Sequence, residues 1–299
     1  DTVAASEDSP LTFNASDLLT NDSVGPANES GQTLNITSAS ATADTHGTVV
    51  LNGDGTITFT PDADYNGTAS FEYTIADDGT TNAVPDSLTA IGTVNLNIAG
   101  VNDAPTAGAD EITVSEDSTT TLDVLSNDSI APDFGETLSI VSVGTGSAGG
   151  TISITNGGAD LSYTPAADFV GTETFTYTIN DGTPGSTDQA TVTITVTEVN
   201  DVPITADDLV TTSEDNALTF NAADLLLNDT TGPANESDQT LTVTAVSATA
   251  DTHGTVVLNG DGTITYTPDA NFNGTASFDY TATDDGATNG SPDAQSTTG

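Results

Sequence analysis

The chain contains no lysine and no arginine, although 45 of its 299 residues are aspartate or glutamate. Two histidines are the only side chains able to carry positive charge, and the formal net charge is −45. Nothing is therefore available to neutralise nucleic-acid phosphates or the headgroups of an anionic membrane, which excludes both partners. Such a polyanion repels itself unless cations from outside bind to it.

Cysteine, methionine and tryptophan are also absent. Disulfide bonds cannot stabilise the fold, and without lysine no lysine-based isopeptide crosslink can form. No run approaches the ~20 apolar residues of a membrane-spanning helix, and no signal peptide is recognisable at the start. The first residue is Asp, which predicts a processed or excised piece of a longer protein. Hydrophobic residues still make up 34% of the chain, so we expect a folded core.

The sequence is a threefold repeat. The segment Ala41–Gly55 recurs unchanged at Ala248–Gly262. Between them lies a diverged copy, recognised by its Phe-x-Tyr motif at 175–177 and by a Val-Asn-Asp-x-Pro motif at 101–105 and 199–203. Repeats of this length indicate tandem domains. The predicted domains are residues 1–103, 104–201 and 202–299.

Each repeat has the pattern of a β-sandwich. Apolar residues alternate along short runs such as Val94, Leu96 and Ile98, and nothing helical is expected beyond a short turn at 15–19. The segment Asn52–Gly55 has the composition of a hairpin turn. About 100 residues with about seven short strands predict all-β, immunoglobulin- or cadherin-like sandwiches in tandem. An odd number of strands also brings the two ends of each domain to opposite poles, as a linear array requires.

Two repeats are incomplete within residues 1–299. Asp1 aligns with Asp208, so the first repeat begins part-way through its opening segment. Gly299 aligns with Gly92, so the third repeat has no counterpart of the apolar run 93–98, its last strand. That strand should be buried. We expect it to be supplied by residues after Gly299 or donated by a neighbouring chain.

Several short motifs recur in the same order in the repeats. In the third repeat they are Thr212–Asp215, Leu226–Asp229, His253–Val256, Asp261–Pro268, Phe272–Thr275 and Phe278-x-Tyr280. With the junction Val199–Pro203, they resemble the bacterial cadherin-like repeats of giant secreted adhesins, including the Vibrio–Colwellia–Bradyrhizobium–Shewanella type. The resemblance implies an extracellular, calcium-dependent stalk in cell adhesion or biofilm. One departure is the loop Asn21–Glu29, which is poorer in carboxylates than the family's Asp run.

The resemblance also implies where calcium binds. Calcium takes about six to eight oxygen ligands, and an Asn-Asp pair before proline binds interdomain calcium in animal cadherins. By that resemblance the ligands at the first junction are Glu7, Asp8, Asn102 and Asp103, and those at the second are Glu116, Asp117, Asn200 and Asp201. Glu214 and Asp215 are their counterparts in the third repeat. The alternative is that all of these are solvated turn residues.

The Asp-Gly pairs after the Phe-x-Tyr motif are weaker metal candidates. Their aspartates are Asp78, Asp181 and Asp285. A count of strand passages places them at the end opposite the Asn-Asp pair, where they would face the preceding repeat or form plain turns. His46 and His253 occupy one repeat position that the second repeat lacks, so we expect neither a metal-binding nor a catalytic role for them.

No nucleophile–base constellation stands apart from the repeat, so we do not expect an enzyme. The leading hypothesis is a structural segment at the cell surface, rigidified by Ca²⁺, acting as an adhesin extender or as a strand-complemented filament subunit. Its partners would be neighbouring repeats or subunits of the same protein, together with host or biofilm matrix. The alternative is an adhesive module for a carbohydrate or protein. The aromatic residues recur in step with the strands, which favours a core role for them.

Overall fold

The computed structural model describes all residues from Asp1 to Gly299. The prediction of an all-β chain is confirmed, because 46% of residues lie in strands and 6% in helices. The chain divides into two compact units, one formed by Asp1–Asp103 with Pro132–Phe134 and the other by Ala104–Ala131 with Gly135–Gly299. The second unit contains two of the predicted repeats, and the boundaries drawn between repeats stay predictions. The helices are short 3₁₀ turns, none with the length and hydropathy of a membrane span.

The first repeat is a sandwich of a four-stranded and a three-stranded sheet. Its strands are β1 (Thr2–Ser6), β2 (Leu11–Asn14), β3 (Leu34–Ala41), β4 (Gly47–Leu51), β5 (Thr56–Pro61), β6 (Gly67–Asp77), β7 (Thr80–Thr81), β8 (Val84–Pro85) and β9 (Thr89–Ala99). The sheet orders are β1-β9-β6-β3 and β2-β5-β4, and β7 pairs with β8 in a small hairpin. Only β1 and β9 run parallel. Short 3₁₀ helices occupy Ala15–Asn21, where the sequence predicts a turn, and Ala27–Glu29.

The second repeat has the same plan with seven strands. They are β10 (Asp110–Ser115), β11 (Thr120–Leu122), β12 (Ser139–Val143), β13 (Thr151–Thr155), β14 (Asp160–Thr164), β15 (Gly171–Asn180) and β16 (Thr187–Thr197). The sheet orders are β10-β16-β15-β12 and β11-β14-β13. Again the first and last strands, β10 and β16, pair in parallel.

The third repeat keeps both sheets, but one of them has three strands where the other repeats have four. They are β17 (Leu218–Asn221), β18 (Thr242–Ala248), β19 (Gly254–Leu258), β20 (Thr263–Pro268), β21 (Phe278–Thr283), β22 (Ala287–Thr288), β23 (Ser291–Pro292) and β24 (Ser296–Thr298). The sheet orders are β18-β21-β24 and β17-β20-β19, with a β22–β23 hairpin. Two 3₁₀ helices cover Ala222–Leu226 and Ala234–Glu236.

Each repeat closes around a separate apolar core. The predicted alternation is confirmed in β9, where Val94, Leu96 and Ile98 are at most 3% exposed and the residues between them face solvent. Phe59 and Phe71 stack across the first core with their ring centroids 6.4 Å apart, and the second and third repeats repeat this contact at 6.3 and 6.4 Å. The aromatic residues of these motifs therefore belong to the core.

The tyrosine of the Phe-x-Tyr motif ties each core to the loop that carries an Asn-Asp pair. The Tyr73 hydroxyl lies 3.0 Å from a carboxylate oxygen of Asp22. The equivalent pairs are Tyr177 with Asp128 and Tyr280 with Asp229, each at 2.9 Å. Burial, reinforced by Asp22, raises the pKa of Tyr73 to about 12, so the phenol stays protonated and serves as a donor. The Asp of this loop is thus used by the core of its own repeat.

The third repeat differs at the parallel strand pair. Residues 209–213, the counterparts of β1 and β10, form no strand, and Leu209 is 89% exposed. Their partner in the other repeats is a long last strand, whereas β24 comprises three residues. An open groove of about 330 Å³ results, lined by segment 209–214 on one side and by 272–276 on the other. This geometry agrees with the alignment of Gly299 with Gly92.

A chain extended after Gly299 by the sequence of Thr93–Ile98, Thr-Val-Asn-Leu-Asn-Ile, should fill this groove. The three aliphatic side chains would become buried, each contributing roughly 1.5–3 kcal/mol to the free energy of unfolding. Calorimetry should therefore show a higher melting temperature for the third repeat, and residues 209–213 should gain hydrogen-exchange protection. The control extension has serine in place of the three aliphatic residues. Equal effects of the two extensions would rule out the groove as a strand site.

One buried carboxylate of the second repeat has no opposite charge near it. Asp110, at the start of β10, is 9% exposed, and its Oδ2 atom has no hydrogen-bond partner. Burial raises the pKa of Asp110 from 3.8 to about 6; a hydrogen bond from Tyr177 opposes the shift, and the Asp128 and Asp123 charges add to it. A raised pKa means that the native state favours the neutral acid. The stability that the neutral Asp110 contributes is complete below about pH 3.8, and it is lost as the pH rises through about 6.

Asp110→Asn should therefore raise the melting temperature more at pH 7 than at pH 4, measured in chelator so that no metal contributes. Asp54→Asn is the control, because Asp54 is exposed and hydrogen bonds from Thr56 lower its pKa. A carboxylate with a lowered pKa stabilises the native state at pH values above its ordinary pKa, and this contribution is lost on acidification. The control variant should therefore gain no stability at pH 7. A gain from Asp110→Asn that is larger at pH 4 would contradict the assignment.

Candidate metal centres

Two groups of carboxylates meet where strands end. The first acidic cluster consists of Glu7, Asp8 and Asp103, and the second of Asp117, Asp168 and Asp201. In each cluster one oxygen per residue lies within 4.8 Å of the other two. The first cluster lies wholly in the first unit and the second wholly in the second unit. The structure therefore brings together five of the predicted ligands, and it adds Asp168.

Glu7 anchors the first cluster. It follows β1, is 1% exposed, and accepts hydrogen bonds from the Val101 N–H at 2.5 Å and from the Asn66 side-chain amide at 3.2 Å. The carboxylate thus joins the end of β1 to the segment that follows β9. Asp8 comes next with φ of 59°, a left-handed conformation that Asp tolerates better than most residues. Burial first, then the charge of Asp8, raises the pKa of Asp103.

Asp64 borders the first cluster and was not predicted from the sequence. Its N–H donates to the Asp8 carboxylate at 3.2 Å, and its charge contributes to the raised pKa of Asp103. The carboxylate of Asp133, which belongs to the same unit, accepts a hydrogen bond from the Asp103 N–H at 2.7 Å. Five carboxylates therefore influence one another here, counting Glu7.

The second cluster is anchored by Glu116, the counterpart of Glu7. Glu116 is 1% exposed and accepts a hydrogen bond from the Val199 N–H at 2.9 Å. The side-chain amide of Asn235, in the third repeat, lies 3.4 Å from each Glu116 oxygen. Burial first, then repulsion from Asp117 and Asp201, raises the pKa of Glu116. Glu116 thus connects both repeats of the second unit through neutral donors.

Asp201 completes the second cluster from the junction segment. Burial first, then the charges of Asp117 and Asp168, raises its pKa. The Oδ2 atom of Asp201 is buried and has no hydrogen-bond partner, and the same is true of the Oδ1 atom of Asn235. Buried oxygens without donors are expensive, and a cation is one way to satisfy them. The donor set of carboxylate and amide oxygens fits a hard divalent cation such as calcium.

A signal for the missed residues is present in the sequence. Asp64, Asp168 and their counterpart Asn271 each stand three positions after a Thr-Pro proline. All three have positive φ, between 54° and 59°, in the left-handed region that Asn and Asp occupy more readily than other non-glycine residues. The repeated Asp or Asn marks this turn, but only the folded chain carries the turn to the acidic cluster.

Electrostatics make these clusters unstable on their own. Two unit charges ~4 Å apart repel by about 4 kcal/mol at an effective dielectric near 20. No lysine or arginine exists to offset the repulsion. Burial first, and this repulsion second, raise the pKa values of Asp103, Glu116 and Asp201. The arrangement is suited to binding a cation, whose positive charge would offset this repulsion.

Other predicted ligands lie outside the two clusters. The Asn102 amide donates to the Asp103 carbonyl at 2.9 Å, and the Asn200 side chain is bound by the third repeat. Glu214 is exposed, and the Asp215 carboxylate accepts a hydrogen bond from the Asn271 N–H at 2.9 Å. In the third repeat, Asp215 and Asn271 thus make the contact that Asp8 and Asp64 make in the first repeat.

Two of the Asp-Gly aspartates bind a threonine 45 positions away, and the third makes its contacts within its own turn. Asp78 accepts hydrogen bonds from the N–H and hydroxyl of Thr33 at 2.8 and 2.7 Å, and these bonds lower its pKa. Asp285 makes the same pair with Thr240, each at 2.7 Å. Asp181 accepts from the N–H of Thr183 at 2.7 Å and from the hydroxyl of Ser186. None of these aspartates joins an acidic cluster, and only Asp181 makes its contacts within its own turn.

The histidines pack against rings. His46 stacks on Tyr65 with centroids 4.0 Å apart, and His253 stacks on Phe272 at 4.4 Å. Both histidines have positive φ, as expected for residues before a glycine in a tight turn.

Comparisons with known proteins agree with this architecture. A family model described as a cadherin-like domain matches residues 1–92 and 199–298, and one described as a bacterial Ig domain matches 102–195. Human protocadherin Fat 1 is 30% identical over 176 residues, which are 54% of this chain and 4% of that protein. The chain thus spans only a small part of that relative.

Similar solved structures include repeats EC1-4 of Drosophila N-cadherin, at 14% identity and a TM-score of 0.38, covering 99% of this chain and 70% of that one. Repeats EC1-3 of mouse protocadherin-24 are 15% identical with a TM-score of 0.41, covering 87% of each chain. An endo-fucoidan hydrolase of glycoside hydrolase family 107 is 16% identical with a TM-score of 0.27, covering 99% of this chain and 42% of that one.

Asp103→Ala should weaken calcium binding at the first acidic cluster at least about tenfold, because a site of this kind depends on the number of charged oxygen ligands. Asp54→Ala is the matched control, since Asp54 lies in the hairpin turn and contacts only Thr56. Isothermal titration calorimetry with calcium would measure both. Equal losses in the two variants would argue against a site at this cluster.

Proposed function

The chain belongs to the cadherin-like domain family, and on that premise we propose that it is a structural segment of a cell-surface stalk or filament, stiffened by calcium at its acidic clusters. The matched families are non-enzymatic adhesion modules. Cadherin-like adhesion domains are usually extracellular, which is the location proposed for this chain. Its role would be to extend an adhesin or to build a fibre from repeated units.

The observation that carries the proposal is the second acidic cluster. Asp117 and Asp168 come from two turns of the second repeat, and Asp201 comes from the segment that leads into the third. The Asp201 N–H in turn donates to the Glu236 carboxylate of the third repeat at 2.6 Å. A cation bound at Asp201 would therefore bind a residue that is in contact with both the second and the third repeat. That is the position from which a bound ion restrains one repeat against the next.

The overall charge supports the same proposal. With a formal charge of −45 the native chain gains from any divalent cation that binds it and not the unfolded chain. The carboxylates of an empty cluster would splay to reduce repulsion. Calcium would thus control stiffness between repeats more than the fold of each repeat, because no residue of the acidic clusters belongs to the three apolar cores.

The groove of the third repeat supports a fibre built by strand addition. Its shape corresponds to the position that β9 and β16 fill in the other repeats. An added strand of alternating aliphatic residues would complete the sheet.

A second candidate function rests on Phe134. This side chain is 91% exposed, in a loop where the first and third repeats have no aromatic residue. Aromatic side chains contribute strongly at interfaces, and a loop that differs between repeats is where a module for a carbohydrate or a protein would carry one. This adhesive role would add to the structural one.

Chelation should make the chain more flexible between repeats and should lower its melting temperature. Small-angle X-ray scattering in calcium and in chelator would measure the change in maximum dimension. Asp201→Asn in calcium should behave like the parent chain in chelator, whereas Asp261→Asn, in an exposed hairpin turn, should behave like the parent in calcium. An unchanged maximum dimension together with no bound calcium by calorimetry would refute the proposal.

A further inference from the structure

Asn200 lies in a polar socket of the third repeat and is 6% exposed. Its side-chain N–H groups donate to the Asp284 carboxylate at 3.0 Å and to the Asp293 carbonyl at 2.8 Å, and its side-chain oxygen accepts from the Gln239 amide at 2.8 Å. Its backbone N–H donates to the Thr288 hydroxyl at 2.9 Å. The carboxamide is thus fully engaged by the third repeat and points away from the second acidic cluster.

Gly286 forms the floor of this socket. A Cβ atom at Gly286 would lie 1.7 Å from the Asn200 side-chain oxygen, so no other residue leaves room for the carboxamide. The Asp284 carboxylate also accepts hydrogen bonds from the Gly286 N–H at 3.0 Å and from the Gln295 N–H at 2.9 Å. The glycine of the Asp-Gly pair is therefore explained by the docking of Asn200, and the pair faces the preceding repeat, as one of the two sequence-based interpretations expects.

The first repeat contains the same socket, residue for residue. Glu29, Gln32, Asp77, Gly79, Thr81 and Asp86 correspond to Glu236, Gln239, Asp284, Gly286, Thr288 and Asp293. The internal hydrogen bonds correspond as well. The Thr81 hydroxyl donates to Asp86 at 2.7 Å, as Thr288 does to Asp293. Asp77 accepts from the Gly79 N–H at 2.9 Å. The socket is therefore formed without an occupant.

The two sockets differ in what covers them. Glu236 is 0% exposed, whereas Glu29 is only half-buried, and Thr81 and Asp86 are exposed. The Gln32 amide nitrogen lies 3.1 Å from the Cβ position of Gly79, in the space that Asn200 occupies in the third repeat. The first socket is thus more open to solvent than the socket that holds Asn200.

We propose that this first-repeat socket binds the Asn-Asp segment at the end of another cadherin-like repeat, in the order in which the second repeat precedes the third. The recognition element is the asparagine carboxamide. It offers two donors, for the Asp77 carboxylate and the Asp86 carbonyl, and one acceptor for Gln32. Aspartate in that position would set a second negative charge against Asp77, so the socket selects the neutral amide. The contact needs no metal, which separates it from the calcium proposal.

The test uses the whole chain, preceded by the sequence of residues 198–207, Glu-Val-Asn-Asp-Val-Pro-Ile-Thr-Ala-Asp, because Asp208 aligns with Asp1. Hydrogen exchange of the amides in 79–86 is measured in chelator, with the amides of 286–293 as an internal reference. We expect the extension to slow exchange in 79–86 by about five- to tenfold, as one or two net hydrogen bonds would. The reference amides should not change.

Matched control extensions carry alanine or aspartate in place of the asparagine, and both should leave exchange in 79–86 unchanged. In the parent chain, Asn200→Ala should speed exchange in 286–293 by a similar factor and leave 79–86 as it was. The proposal is overturned if all three extensions protect 79–86 equally, if none does, or if Asn200→Ala leaves 286–293 unchanged. Because the measurements are made in chelator, these outcomes are independent of whether calcium binds the acidic clusters.

Discussion

Every carboxylate that the fold removes from water must find a neutral donor, a proton or a metal ion, because the chain has no lysine or arginine. Others bind neutral donors near the surface. Thr33 gives Asp78 both its N–H and its hydroxyl, and the pKa of Asp78 falls accordingly. Such carboxylates are charged at neutral pH without straining the fold. They also shape the turns that connect the strands.

In the second repeat, a carboxylate buried in the core is also satisfied by neutral donors. Glu173 is 0% exposed and accepts hydrogen bonds from the Ala148 and Gly150 N–H groups, each at 2.9 Å, and from the Tyr163 hydroxyl. These hydrogen bonds outweigh the cost of burial, so the pKa of Glu173 is lowered. The first repeat fastens the equivalent loop with a neutral side chain, since the Thr45 hydroxyl donates to the Ser70 carbonyl at 2.8 Å. A buried carboxylate in the second repeat and a buried threonine in the first thus fix the equivalent loop by hydrogen bonds.

In the acidic clusters, neutral donors do not satisfy all of the carboxylates. Glu7 and Glu116 are buried and hydrogen bonded, but the aspartates that gather around them repel one another. The Asn-Asp pair at the second junction divides the two tasks. Asp201 lies in the acidic cluster, while Asn200 fixes the third repeat through its neutral carboxamide. One residue is thus suited to a cation and the other to a carboxylate-lined socket, which explains why the two differ in charge.

The sequence by itself determined the repeat, the β-sandwich class and the buried face of strands such as β9, because alternation and exact recurrence are local properties. It also identified Glu7, Asp8 and Asp103, and their second-repeat counterparts Asp117 and Asp201, as neighbours. The tertiary structure alone decided that Asp64 and Asp168 join them, and that Asn200 belongs to a socket. These contacts join residues more than 50 positions apart. Their geometry depends on where two sheets and several turns meet, which no local pattern encodes.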